Sequence, residues 1–308
     1  MNLEISKLSP QRLGIIGAVI ATLAGVGYFT MAQAPASLAG INLAALFLGL
    51  IMLLGLRALQ ASERHRALLM LVMAASMLVT AIMGNAVEGA ARWVMVGPLS
   101  IQPSLILLPP LILLFVRNRS WLSMLAIALA ALALALQPDR AMAGVLLAAM
   151  LALSLVKLDR FVGLGLAASL VGFTATLLVP DNLPAVPFVD QVYYTAFDVS
   201  WLAGVSVTGG TVLLLLPVFA LTGRSDSDRE LIIAFGAIWI AIIAAAALGT
   251  YPTPVVGYSG AAILGYVLSL GTLPRKASCE QSDRSGLVAE SSRSDNGPRL
   301  NHIAPVTG

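Results

Sequence analysis

Residues 102–156 read QPSLILLPPLILLFVRNRSWLSMLAIALAALALALQPDRAMAGVLLAAMLALSLV. Three apolar runs, 102–116, 120–136 and 141–156, are parted only by Arg117-Asn118-Arg119 and by Gln137-Pro138-Asp139-Arg140. A helix at the surface of a soluble domain keeps one polar face, and these runs have none. Outward from them the pattern repeats, with charge-free runs at 13–32, 38–56, 67–84, 161–179, 199–222, 231–248 and 254–272. A hydrocarbon core of about 30 Å asks for roughly 17–25 such residues per helix. Composition agrees: of 308 residues 58% are apolar and 11% charged, with mean hydropathy +0.91. Soluble domains carry about 25% charged residues. The sequence therefore predicts an all-α, polytopic membrane protein of about ten transmembrane helices, and excludes an ordinary water-soluble enzyme. No strand alternation supports an outer-membrane barrel. Pro109-Pro110 should kink its run and free carbonyls, which must then face other helices or a wet cavity.

Charge sets the orientation. With the N-terminus inside, 16 of the 18 basic residues fall in cytoplasmic segments, and only Arg92 and Arg140 lie outside. Glu88, Asp139, Asp181, Asp190 and Asp198 also lie outside. Both termini are then cytoplasmic: a segment 1–12, a membrane domain 13–275, and a polar tail 276–308 expected to be disordered. The first run is longer than a signal-peptide core and reads as a retained helix. A net charge of +3 gives no reason to expect nucleic acid. The single Cys279 and the two histidines, His65 and His302, form no metal-ligand spacing and read as solvated bystanders.

The external segments hold the remaining chemistry. Arg92-Trp93 stands in a Gly- and Pro-bearing segment, expected as a loop, that runs on to Gln102-Pro103-Ser104. A guanidinium, an indole and an amide at the lipid boundary suit a phosphate or sugar. From composition alone they suit better an interfacial Trp anchor beside a snorkelling Arg. Gln137-Pro138-Asp139-Arg140 reads either as a turn with a local ion pair or as a carboxylate offered to the same external surface.

The stretch from Gly89 to Ser104 resembles the signature of the SEDS family (FtsW, RodA and SpoVE proteins): Asn-Gly-Ala-Arg-Arg-Trp-Ile, then Gly-Pro, then Gln-Pro-Ser-Glu. Gln137-Pro138-Asp139 resembles the family's Gln-Pro-Asp-Leu-Gly. Pro252-Thr253-Pro254-Val255-Val256-Gly257-Tyr258-Ser259-Gly260 resembles its Pro-Leu-Pro-Phe-Val-Ser-Tyr-Gly-Gly-Ser. The motifs are colinear, and the resemblance runs from about residue 13 to 275. It implies a protein of the bacterial cytoplasmic membrane tied to cell shape, division and peptidoglycan synthesis. Such proteins polymerise lipid II beside a class B penicillin-binding protein. By resemblance Arg92 would meet phosphate, Gln102 would position sugar or phosphate, and Asp139 would organise polar contacts or a divalent cation. Trp93, Ser104, Tyr258 and Gly260 complete the implied substrate surface.

The chain departs from the pattern at telling places. The Glu of Gln-Pro-Ser-Glu is Leu105, and the Lys three residues on is Leu108. The segment 180–198 is short, and the family's Asp-Phe pair falls on Ala196-Phe197. Asp198, two residues on, is the catalytic candidate, although two helical steps turn a side chain by about 200°. Asp190 is a second candidate. The readings are a SEDS-like glycosyltransferase, a SEDS-like protein with degraded catalytic motifs that binds a polyprenyl-linked substrate or serves as an envelope-synthesis scaffold, and a small lipid or solute transporter. The last would show an internal repeat or charges within spans, and neither is present.

Overall fold

The structure, a computed structural model, describes residues 8–58, 62–87, 89–97, 99–181, 183–221 and 224–275. Glu88, Cys279, His302 and the polar tail lie outside the described residues. The helices are α1 (Pro10–Met31), α2 (Ala36–Ala58), α3 (Glu63–Met83), α4 (Pro103–Arg117), α5 (Trp121–Leu136), α6 (Arg140–Val156) and α7 (Arg160–Leu177). They continue with α8 (Val192–Val199), α9 (Trp201–Leu213), α10 (Asp226–Leu248) and α11 (Gly260–Ser269). Apart from the short α8, each falls on one of the apolar runs. Six helical segments among the described residues are long and apolar enough to cross a membrane, and α4, α5, α6 and α11 with its 3-10 extension are shorter.

Of the short helices, α4 and α11 are the inner ones, while α5 and α6 each leave a side exposed, at residues such as Leu132 and Leu155. Helix α4 packs on α3, α10 and α11, and α6 packs on α7 and α10. Fifteen residues of α4 rise only about 22 Å. Buried on nearly every face, that helix meets other helices rather than lipid. Apolar side chains such as Phe47, Val72, Leu155, Val171 and Phe219 form the exposed belt instead.

Helix α4 runs unbroken through Pro109 and Pro110. Pro109 has no N–H for the carbonyl of Leu105, and that carbonyl faces Gly265 of α11. A Cβ at position 265 would sit 2.0 Å from the Leu105 oxygen. A glycine is therefore what lets α11 lie against the opened turn. Leu105 and Leu108, the two aliphatic departures from the family pattern, are buried in the same core.

The structure corrects the sequence reading in three places. The external segment 85–101, expected as a loop, is a three-stranded antiparallel meander: β1 (Asn85–Val87), β2 (Ala90–Val96) and β3 (Leu99–Ile101). Val94 pairs with Ile101 and Val96 with Leu99. The turns use Gly89 and Gly97, both at positive φ. The eighth run ends as a helix at Leu213 and continues as a 3-10 turn, Leu216–Ala220. The tenth begins at Gly260 rather than 254. Two prolines and a left-handed Val255 hold 252–258 irregular until Ser259 caps α11 by accepting from the Ala262 N–H at 3.2 Å.

The two ends of the bundle differ in charge. The described ends of the chain meet, with the Gln11 amide donating to the Leu270 carbonyl at 3.0 Å. At that basic end Arg119 bridges Asp159 (2.6 Å) and Glu230, tying together the N-termini of α5, α7 and α10. Burial pushes the Asp159 carboxyl up, but the N–H groups of Val162 and Phe161 and the Arg119 guanidinium outweigh it and hold it below its ordinary range. The opposite, acidic end carries the meander and the segments 178–191 and 249–259.

Candidate functional site

The turn between α5 and α6 brings the acidic end together. Gln137 caps α5, and its amide donates to the Met77 carbonyl at 2.6 Å. Asp139 caps α6: Oδ1 accepts from the Met142 N–H at 3.2 Å. Oδ2 accepts from Gln102 Nε2 and from Ser104 Oγ, each at 2.9 Å. The carboxylate is fully buried and has three donors. Three residues singled out from the sequence thus form one hydrogen-bonded unit where α4 and α6 begin.

Arg92 joins that unit through the backbone. On β2, it donates to the Pro138 carbonyl and lies 2.9 Å from Asp181 Oδ2. Both side chains are buried, at 3% and 7% exposure. Asp181 also accepts from the Tyr251 hydroxyl at 2.7 Å. Burial, and then the neighbouring Asp181, push the Tyr251 phenol above its ordinary range. Asp181 and Tyr251 escaped the sequence reading. Asp181 reads as a loop acid in Val179-Pro180-Asp181, and only the excess of external acids beside one buried guanidinium hints at a partner.

The remaining candidates lie elsewhere. Trp93 follows Arg92 on β2, so strand alternation directs it to the other face. Tyr258 is held by its backbone N–H donating to the Phe188 carbonyl at 2.7 Å, and Gly260 opens α11 against Ala45. These two belong to a neighbouring unit in which the 186–192 loop is laced to 252–258: the Thr253 N–H donates to the Val189 carbonyl at 2.8 Å, and Asn42 Nδ2 to the Gly257 carbonyl at 2.8 Å. Asp190 sits in that unit, accepting from the Val186 N–H at 2.8 Å, and burial pushes its carboxyl up. On α8, Ala196 is buried and Asp198 is exposed.

Arg92, Gln102 and Asp139 therefore share one end and one cluster, filled by its own side chains. An open groove of about 510 Å³, lined mainly by apolar residues that include Val72, Val79, Val94, Ile101 and Pro103, adjoins this end. Ile101 and Pro103 flank Gln102 in sequence. A divalent cation does not fit the cluster as it stands: Asp139 is surrounded by donors and Asp181 by Arg92 and Tyr251. No group of three His, Cys, Asp or Glu side chains is gathered among the described residues.

A bundle of apolar helices around the buried α4 and α11, closed at one end by a polar cluster, is that of a polytopic α-helical membrane protein, and the solved structures it matches give its fold as SEDS-like. The Thermus thermophilus rod shape determining protein RodA matches it with TM-score 0.59 and 23% identity, over 84% of this chain and 93% of that one. A mutant of the same protein matches at 0.58 and 25%, over 84% and 94%. A chain from a peptidoglycan synthase complex, described as coordinating polymerization and crosslinking, matches at 0.55 and 23%, over 84% and 94%. No family model matches the sequence, and a search of curated proteins gives no match.

Proposed function

We propose that this chain is a SEDS-like protein of peptidoglycan synthesis, cell shape or cell division in the bacterial cytoplasmic membrane. In this reading it binds a polyprenyl-linked saccharide such as lipid II and does not itself polymerise it. Glycosyl transfer needs a carboxylate to take the proton of the acceptor hydroxyl, with charge stabilisation for the departing pyrophosphate. The observation that carries the reading is on α8: Ala196 holds the buried position and Asp198 faces away from it, exposed. The cluster supports it, because its two carboxylates are engaged and its guanidinium is paired. A class B penicillin-binding protein is the proposed partner, on the strength of the likeness to a chain from a peptidoglycan synthase complex.

Purified protein incubated with labelled lipid II, with and without a class B penicillin-binding protein, tests this. Retention of lipid II with no glycan strands is the expected result. Strands that vanish in Asp198→Ala would restore the transferase reading, with Asp198 as its base. Absence of both binding and product would leave a scaffold role.

A further inference from the structure

We infer that the basic end carries a binding site for an anionic diacyl phospholipid, built on Arg160 and Trp121. Arg160 opens α7 beside the start of α5. Its guanidinium carbon lies 4.7 Å from the ring centre of Phe161 and 5.7 Å from that of Trp121, and the two rings meet edge to face at 5.2 Å. An arginine held over two aromatic rings is fixed in direction while its N–H edge stays free to bind oxygen anions. Arg160 is exposed and forms no ion pair among the described residues.

The neighbouring acids do not compete for it. Asp159 and Glu230 are both taken by Arg119. Lys157, across the turn between α6 and α7, adds a second cation. It is 65% exposed and only 3.9 Å from Glu230, too far for a tight pair. Trp121 is 63% exposed.

Below this head the surface turns apolar. Leu164 lies one helical turn from Arg160 on α7, Leu125 one turn from Trp121 on α5, and both are exposed. The two helices pack together. Cations above and bare aliphatic side chains below match a phosphodiester headgroup with two acyl chains. Basic pockets between helices on one leaflet side recognise anionic lipids in this way. The site is at the end opposite the polar cluster and does not depend on the function proposed for that cluster.

The test is lipid retention by the full chain in detergent, measured by native mass spectrometry against equal dioleoyl phosphatidylglycerol and dioleoyl phosphatidylcholine. The wild type should retain the glycerol lipid about fivefold over the choline lipid, the factor expected of one basic side chain at an anionic surface. Arg160→Gln and Trp121→Ala should bring the ratio toward one, and Arg160→Lys should recover only part of it. Arg64→Gln, another exposed basic change at the same end, should leave it unchanged. Equal retention of both lipids by the wild type, or an Arg64→Gln effect as large as that of Arg160→Gln, would overturn the assignment. A melting temperature measured on each variant shows whether a lost preference is a lost fold.

Discussion

The buried ion pair between Arg92 and Asp181 illustrates how much one side chain decides here. Removing one partner of such a pair leaves an uncompensated charge, a loss of about 3–5 kcal/mol. Arg92→Ala should therefore lower the melting temperature sharply, and Arg92→Ala with Asp181→Asn should recover part of the loss. Arg92→Lys should not substitute, because the guanidinium spans the Pro138 carbonyl and the Asp181 carboxylate at once. Asp139→Ala strands Gln102, Ser104 and the Met142 N–H, at about 1–3 kcal/mol for each buried group left unsatisfied. Asp190 gives the opposite sign. Its carboxyl titrates above the unfolded value, so the folded protein binds that proton more tightly. The resulting stability is complete below the unfolded pKa and is lost as pH rises through the folded one. Asp190→Asn, keeping the Val186 N–H contact, should melt at or above the wild-type temperature at pH 7.5, and the difference should shrink on acidification.

Among the elements, α4 and α11 carry the sharpest constraint. A Gly265→Ala side chain would press on the Leu105 carbonyl, and should cost about 1–3 kcal/mol, read as a fall in thermal stability in detergent. Hydropathy located ten helical segments to within a few residues of most ends because lipid imposes one length and one polarity on each. It could not foresee the meander at 85–101: Val94, Met95 and Val96 are apolar whether they sit in a loop or a strand. Nor could it start α11 correctly, since a valine at positive φ leaves no mark in composition. The unit Gln102–Ser104–Asp139 was legible as motifs. Asp181 and Tyr251 were not, because their meeting depends on how two distant loops fold over one arginine.

For the whole molecule, the charge difference between its ends predicts orientation. Cys279, the sole cysteine, should resist a membrane-impermeant maleimide in intact spheroplasts and react once the membrane is opened. Ala185→Cys in a Cys279→Ser background should behave in reverse, since 185 lies in the loop at the acidic end. Labelling of both from the same side would refute the arrangement.

The meeting of α1 with α9 has a consequence for biogenesis. Gly17 accommodates the Leu213 carbonyl so closely that a Cβ would lie 2.3 Å from it. The ribosome must add nearly two hundred residues before that contact can exist, roughly 10–40 s at ordinary elongation rates. Throughout that interval the first helix waits in the bilayer with its glycine seam uncovered, and a stalled or truncated nascent chain would present that seam to insertases and quality-control proteases.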